Sequence, residues 1–347
     1  MIAQRSFIES FPAIATSISD ANLIVLDTSR VIGQESIALE QKCAEHATIA
    51  ALLYRPNLQN QTKGGDAMKV GVNVAVNSDT GDIGAFAKKA EDLGFDSLWM
   101  AEHPVMPVHT ESKYGGTPDG SIPPSMSDMA DPFVSLAIAS GTTTKIMLGT
   151  SICLVPEHNP LVQAKQIAAL DYHSGGRFIF GIGTGWLREE TEIMGGDFDH
   201  RWTQAREAVE AMKEMWTKDE AEYHGRYYDF PKVRVFPKPA QKPHPPVFLG
   251  GAASNVFKRV VTYGDGWMPV RATPESVRAG RASLDELADA AGRDPKSIQI
   301  LVYGAASRDE IRDMEDAGAT MATVRLPSTE PEEVMNGLER LAEEMLG

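Results

Sequence analysis

Cysteine is nearly absent: Cys43 and Cys153 are the two in 347 residues, far apart and in no C-x-x-C arrangement. That argues against a disulfide framework or a zinc ribbon and fits a reducing compartment. Basic charge is also short, with 33 Lys and Arg against 48 Asp and Glu and a formal net charge of −15. No basic stripe offsets it, so neither nucleic acid nor an acidic membrane surface is an expected partner. The chain has no apolar run near the roughly 18 residues that a membrane span needs, and no basic-then-apolar leader. H-E-x-x-H and G-x-x-x-x-G-K-[ST] are missing, and the eight histidines lack metal-binding spacing, so no metal is expected. What remains is a cytoplasmic protein with a small-molecule partner.

The richest segment is Arg177 to Leu187, an apolar run ending in glycines at alternate positions, Gly181, Gly183 and Gly185. It reads as a strand buried on both faces that opens onto a ligand, where a missing Cβ lets a bulky group approach the backbone. The dinucleotide fingerprint G-x-G-x-x-G is not met, because Gly185 is followed by Trp186 and the third glycine comes one position early.

Residues 1–67 form an irregular extension, whereas regular patterning begins at Met68. Either the extension is an accessory segment, or it is upstream sequence carried in frame by a mis-assigned start. The second reading is favoured, because Lys63-Gly64-Gly65-Asp66 can be encoded by a purine-rich stretch like a ribosome-binding site before Met68. The working domain is therefore expected to be residues 68–347. From Met68 the chain parses into eight strand-then-helix units, with strands near 69–75, 97–102, 146–151, 178–183, 247–250, 266–270, 298–303 and 320–326. Asp82 before a helix over 83–93, Asp131-Pro132 and Thr273-Pro274-Glu275 supply helix starts. Such alternation over this length predicts an α/β fold, a (β/α)8 TIM barrel. Two insertions interrupt it, after strands 2 and 4: one over 103–130, and one over 220–245 that reads as a hairpin leading to an extended segment.

In such a barrel, function belongs to the C-terminal ends of the strands. There stand Asn73, Glu102 with His103, Thr150 with Ser151 and Ile152, Gly183, Thr184, Gly185 and Trp186, the loop Gly250-Gly251-Ala252-Ala253-Ser254, Trp267 and Arg271. His103 is the acid/base candidate, poised by the preceding carboxylate of Glu102 or else a plain structural histidine. Trp186 either flanks a ring or caps the barrel. The loop from Gly250 to Ser254 is a phosphate cradle or a simple tight turn, with Lys258 and Arg259 one turn on.

Taken together, Phe95-Asp96-Ser97-Leu98-Trp99 with Glu102-His103, Leu148-Gly149-Thr150-Ser151-Ile152, Leu170-Asp171 through Gly175-Gly176-Arg177 into Gly181 to Trp186, Pro245 to Gly251, and Gly264-Asp265-Gly266-Trp267 resemble the bacterial-luciferase-like oxidoreductases. Within that family the chain is most similar to the coenzyme F420-dependent branch. The resemblance spans nearly all of residues 68–347. It implies a barrel that binds F420, or alternatively FMN, at its strand ends, usually as a homodimer.

By this resemblance His103 faces the redox-active ring, Glu102 is its acidic neighbour, and Trp186 completes the catalytic set. Asn73, Thr150, Ser151, Ile152, Gly183, Thr184, Gly185, Gly250, Gly251 and Ser254 would bind the cofactor, with a non-prolyl cis peptide at Ser151-Ile152. The family's sugar-phosphate dehydrogenases carry a catalytic glutamate where this chain has Trp186, which turns the expectation toward a more apolar substrate. Glu189 and Glu190 are expected to face solvent. The expected activity is hydride transfer between F420 and a small organic substrate. The alternatives are an FMN-dependent two-component monooxygenase fed by a separate reductase, a non-catalytic cofactor-binding barrel, and a phosphate-binding lyase barrel.

Overall fold

The computed structural model describes residues 68–253, 255–326 and 331–347, and gives no account of the side chains of residues 331 and 332. The reading of residues 1–67 and the role expected for Ser254 lie outside the described residues. Eight parallel strands pair into a ring: β1 (Lys69–Val74), β2 (Ser97–Met100), β3 (Met147–Thr150), β5 (Phe178–Gly183), β8 (Val247–Gly250), β9 (Gly266–Met268), β10 (Gln299–Val302) and β11 (Met321–Arg325). Pairing of β1 with β11 and of β3 with β5 closes it. A two-residue strand β4 (Cys153–Leu154) runs beside the end of β5. All eight barrel strands fall where the sequence places them, so the fold is the expected (β/α)8 barrel. The insertion after strand 2 runs from His103 to the helix that opens at Pro132, and the one before β8 holds the antiparallel hairpin β6 (Ala221–His224) and β7 (Asp229–Val233).

The helices α1 (Ile83–Leu93), α2 (Pro132–Thr142), α3 (Pro160–Ser174), α4 (Arg188–Ile193), α5 (Arg201–Thr217), α6 (Val256–Tyr263), α7 (Pro274–Ala290), α8 (Arg308–Asp316) and α9 (Pro331–Met345) follow in chain order. Their starts obey local chemistry. The Asp82 carboxylate accepts from the amides of Gly84 and Ala85, Asp131 accepts from Val134, and Thr273 and Ser276 make a capping box. On α1 the buried Ile83, Phe86, Ala87 and Ala90 recur at helical spacing and face the sheet.

Strand alternation divides the apolar residues between two layers. Val70, Val72, Leu98, Phe180 and Leu249 point outward into the core shared with the helices. Trp99, Ile179, Phe248, Met268, Leu301 and Met321 fill the barrel interior. The large rings fit because glycine faces them: a Cβ on Gly149 would lie 2.3 Å from the Trp99 ring, and one on Gly266 would lie 2.6 Å from Phe248. At the N-terminal end of the strands, Asp171 accepts from the backbone and side chain of Gln241, and the buried Arg177 guanidinium donates to the carbonyls of Thr143, Ile146 and Ser174. These two motif residues therefore hold the frame at the face opposite the site.

Gly149→Ala is expected to lower stability by roughly 1–3 kcal/mol, the usual cost of overpacking a filled core. Urea unfolding should show a lower midpoint with an unchanged slope; an unaltered midpoint would mean that Trp99 has room to move.

Candidate active site

Above the interior plug, the inward positions at the C-terminal mouth are small or polar: Asn73, Ser151, Gly183 and Gly250. The Asn73 amide donates to the Ser151 hydroxyl at 2.5 Å. Tyr303, at the end of β10, also bonds with Ser151, and burial raises its phenol well above the ordinary range. The peptide between Ser151 and Ile152 is cis. Ile152 turns its side chain under Gly183 and Gly250, occupying the space that a Cβ on Gly183 would need, 1.8 Å from Cδ1. Asn73, Ser151, Ile152, Gly183 and Gly250 are thus brought together as one floor. Tyr303 is a member that sequence reasoning did not select, although its place at a strand end was available as a signal.

Thr150 is placed differently. Its hydroxyl donates to the Gly181 carbonyl at 2.7 Å and the residue is fully buried, so its side chain ties β3 to β5 and does not reach the mouth. Gly251 is likewise committed to the frame, since its amide donates to Met268 and its carbonyl accepts from the Trp267 indole. Arg271 donates to the carbonyl of Gly115 and pins the first insertion to the loop after β9.

His103 follows the end of β2, the strand that pairs with β3, and its side chain is only 8% exposed. Its carboxylate partner is not Glu102: Nδ1 lies 2.7 Å from Oε2 of Glu190. Glu102 turns the other way, accepting from the Leu154 amide and from Nε2 of His158 at 2.9 Å. The expected solvent-facing role of Glu189 and Glu190 is also overturned. Glu190 is fully buried, and Glu189 accepts from the amides of Glu111 and Ser112, so both hold the first insertion in place. The physical reason is that α4 folds back under residues 103–112, a tertiary contact that spacing does not encode. Trp186 meets His103 edge-on at 6.0 Å and packs on Tyr114 at 5.2 Å. Thr184 is buried beside Gly185, whose φ of 77° is left-handed and suits glycine.

Three pairs of adjacent residues interlock. Glu102 holds His158, Glu157 accepts from the Thr191 hydroxyl at 2.9 Å, and Glu190 holds His103. The dipeptides 102–103, 157–158 and 190–191 therefore close a buried ring behind the imidazole. Burial, and then the negative charges of Glu190 and Glu102, push the Glu157 carboxyl up to about 8 against the Thr191 hydrogen bond. Its second oxygen is buried without a partner. With Nδ1 of His103 engaged by Glu190, Nε2 is the ring nitrogen left to meet a ligand. The first insertion also encloses an open cleft of about 440 Å³ lined by Met106, Val108, Lys113 and Ile122. None of the residues of the floor or ring lines it.

This arrangement, a plugged barrel with a buried His-carboxylate pair beside a backbone floor, defines a barrel enzyme site. The chain belongs to the luciferase-like monooxygenase family, which it matches over residues 60–344. It is 34% identical to an uncharacterised protein of Mycobacterium tuberculosis over 262 residues, 74% of this chain and 92% of that one. It is 33% identical to the FMNH2-dependent dimethylsulfone monooxygenase of Pseudomonas putida over 135 residues, 36% of this chain and 37% of that one. The coenzyme F420-dependent tetrahydromethanopterin reductase of Methanopyrus kandleri has the same fold, with a TM-score of 0.65 at 19% identity over 81% of this chain and 99% of that one. The proteins it is similar to thus include one named as F420-dependent and one named as FMNH2-dependent. Among the described residues no helix is long and apolar enough to cross a membrane.

Glu157 yields a pH prediction. Its folded value lies above the ordinary 4.5 of a glutamate, so the native state binds the proton more tightly than the unfolded chain. The resulting stabilisation is complete at acid pH and drains as pH rises toward and through about 8. In Glu157→Gln, which cannot ionise, the melting temperature should fall less steeply between about pH 6 and about pH 9 than in the wild type. Parallel profiles would remove Glu157 as the titrating group.

Proposed function

We propose that the chain is an oxidoreductase that transfers a hydride between coenzyme F420 and a small organic substrate at the barrel mouth. The observation that carries this reading is the buried His103–Glu190 pair, which follows the strand next to the one that ends in Ser151 and Ile152. The residues fit a flat ring: Gly183 and Gly250 present no side chain upward, and Asn73 and Ser151 offer short polar groups. Asn73, Ser151, Ile152, Gly183 and Gly250 would hold the ring, with Thr184 and Gly185 at its border.

When bound, F420 supplies two-electron hydride chemistry. His103 would accept at Nε2 the proton of a substrate hydroxyl as the carbon that bears it gives up a hydride, or return it in the reverse direction. Glu190 keeps that nitrogen free by binding Nδ1, and it stabilises the imidazolium while the proton is held. Glu102 orients the chain from the side of His158 and takes no part in the transfer. Trp186 and Tyr114 wall the site with aromatic surface, which favours an apolar substrate and limits water. A proton acceptor backed by a buried carboxylate suits a reaction in which a proton accompanies each hydride. That is why F420 is preferred here over the second reading, an FMN-dependent monooxygenase, which the likeness to the dimethylsulfone enzyme keeps in view.

Fluorescence titration with F420 and with FMN tests the choice, and selective F420 binding is expected. His103→Ala should retain that binding and lower turnover by about 10²–10⁴-fold, the usual contribution of a general acid–base. Turnover that needs oxygen in proportion to product would sink the hydride-transfer reading; unchanged turnover in His103→Ala would remove the role given to the histidine.

A further inference from the structure

Three side chains of different chemistry converge where Glu102 turns away from His103. Cys153, which opens β4, is fully buried. Glu102 follows the end of β2, and His158 stands between the short turn after β4 and the opening of α3. The Cys153 sulfur, a ring nitrogen of His158 and a carboxylate oxygen of Glu102 all lie within 4.8 Å of one another. The Cys153 thiol bonds with Glu102, and Nε2 of His158 lies 2.9 Å from Oε1 of the same carboxylate. Among the described residues no Lys or Arg stands at ion-pair distance from Glu102. His158 and Glu102 are 56 positions apart, so ligand spacing in the sequence could not reveal the group.

A fourth group completes the cluster. Gln163, near the opening of α3, is 1% exposed, and its Nε2 donates to the Cys153 sulfur at 3.0 Å. Its Oε1 is buried and has no partner, which is costly for an amide oxygen. Half a turn about the last bond of the side chain exchanges the two atoms and sets that oxygen beside the sulfur. Sulfur, imidazole nitrogen, carboxylate and amide oxygen make a donor set that suits zinc and similar divalent ions, whereas magnesium and calcium take oxygen alone. A divalent cation with a thiolate, a carboxylate and a neutral imidazole is also neutral overall, as a buried place requires. The His158 side chain is 19% exposed, which gives an ion a way in.

We propose that Glu102, Cys153, His158 and the Gln163 carbonyl form a four-coordinate site for zinc or a similar thiophilic divalent cation, a structural site that ties the end of β2 to β4 and α3. Binding changes no oxidation state. The cation replaces the thiol proton of Cys153 and the hydrogen that His158 and Glu102 share; the first goes to solvent, and the second moves to Nδ1 of His158 or follows it. His103 follows Glu102 in the chain and Ile152 precedes Cys153. Occupancy would therefore stiffen the histidine and the floor from behind while touching no reacting atom. The site stands whichever cofactor the mouth takes.

The test uses the full chain with Cys43→Ser, which leaves Cys153 as the only thiol, after treatment with a chelator. Zinc is titrated while the melting temperature is followed, and Co²⁺ serves as the optical probe. The expected result is a rise that saturates near one equivalent of zinc. With cobalt, a thiolate-to-metal charge-transfer band and the strong visible bands of a four-coordinate ion should appear, and zinc should displace them. Cys153→Ser should abolish the charge-transfer band. Gln163→Leu should weaken zinc binding by about 10–100-fold, and His158→Gln by more than that. His224→Gln, which removes an exposed imidazole beside Asp229 and Glu222, should change nothing. If Cys153→Ser does not fold, weaker zinc binding in the other two variants, with unchanged circular dichroism, supports the site. Absence of the charge-transfer band before substitution, its survival in Cys153→Ser, unchanged zinc affinity in both His158→Gln and Gln163→Leu, or a zinc response lost only in His224→Gln overturns the proposal.

Discussion

Trp99 and Phe248 lie inside the barrel against Gly149 and Gly266, and the rest of the architecture depends on that fit. A barrel of eight strands closes only if its interior is filled, and two rings of this size can be accommodated only where the facing strand carries no Cβ. With the lower interior plugged by Trp99, Phe248, Met268, Leu301 and Met321, the strands keep a rigid upper rim. Small residues at that rim then leave backbone within reach of a ligand. The glycines of β3, β5, β8 and β9 therefore serve two ends, interior packing below and ligand approach above.

On that rim, charge is organised by pairing across distance in the chain. Buried Glu102, Glu157 and Glu190 would be costly as three isolated carboxylates. Two are met by histidines, and the third is raised to about 8, which leaves it protonated at neutral pH. The network thus lowers its own buried charge while it keeps His103 in one orientation. The same pairing binds the first insertion to α4, because Glu189 and Glu190 reach residues 103–112. The carboxylate that holds His103 therefore also anchors the first insertion.

Where local rules suffice, the sequence was legible. Asp82, Asp131 with Pro132, and Thr273 with Pro274 mark helix starts through bonds made within a turn, and the structure has those bonds. The mouth was legible in outline because strand ends place Asn73, Ser151, Ile152, Gly183 and Gly250 on one face. Thr150 was misplaced for a simple reason: side chains alternate along a strand, and one position separates the mouth from the outer layer. Glu102 and His103 show the same limit, since neighbours on a chain leaving a strand turn in opposite directions.

The sequence by itself determined the order of strands and helices, their caps, the two insertions and the set of residues at the strand ends, because each follows from period and from contacts a few residues apart. The pairing of His103 with Glu190 and the burial of Glu157 near two other acids are set by tertiary packing alone. Those outcomes depend on how α4 packs against the first insertion. The energies of burial and charge that select their partners act between residues dozens of positions apart, where spacing carries no record of them.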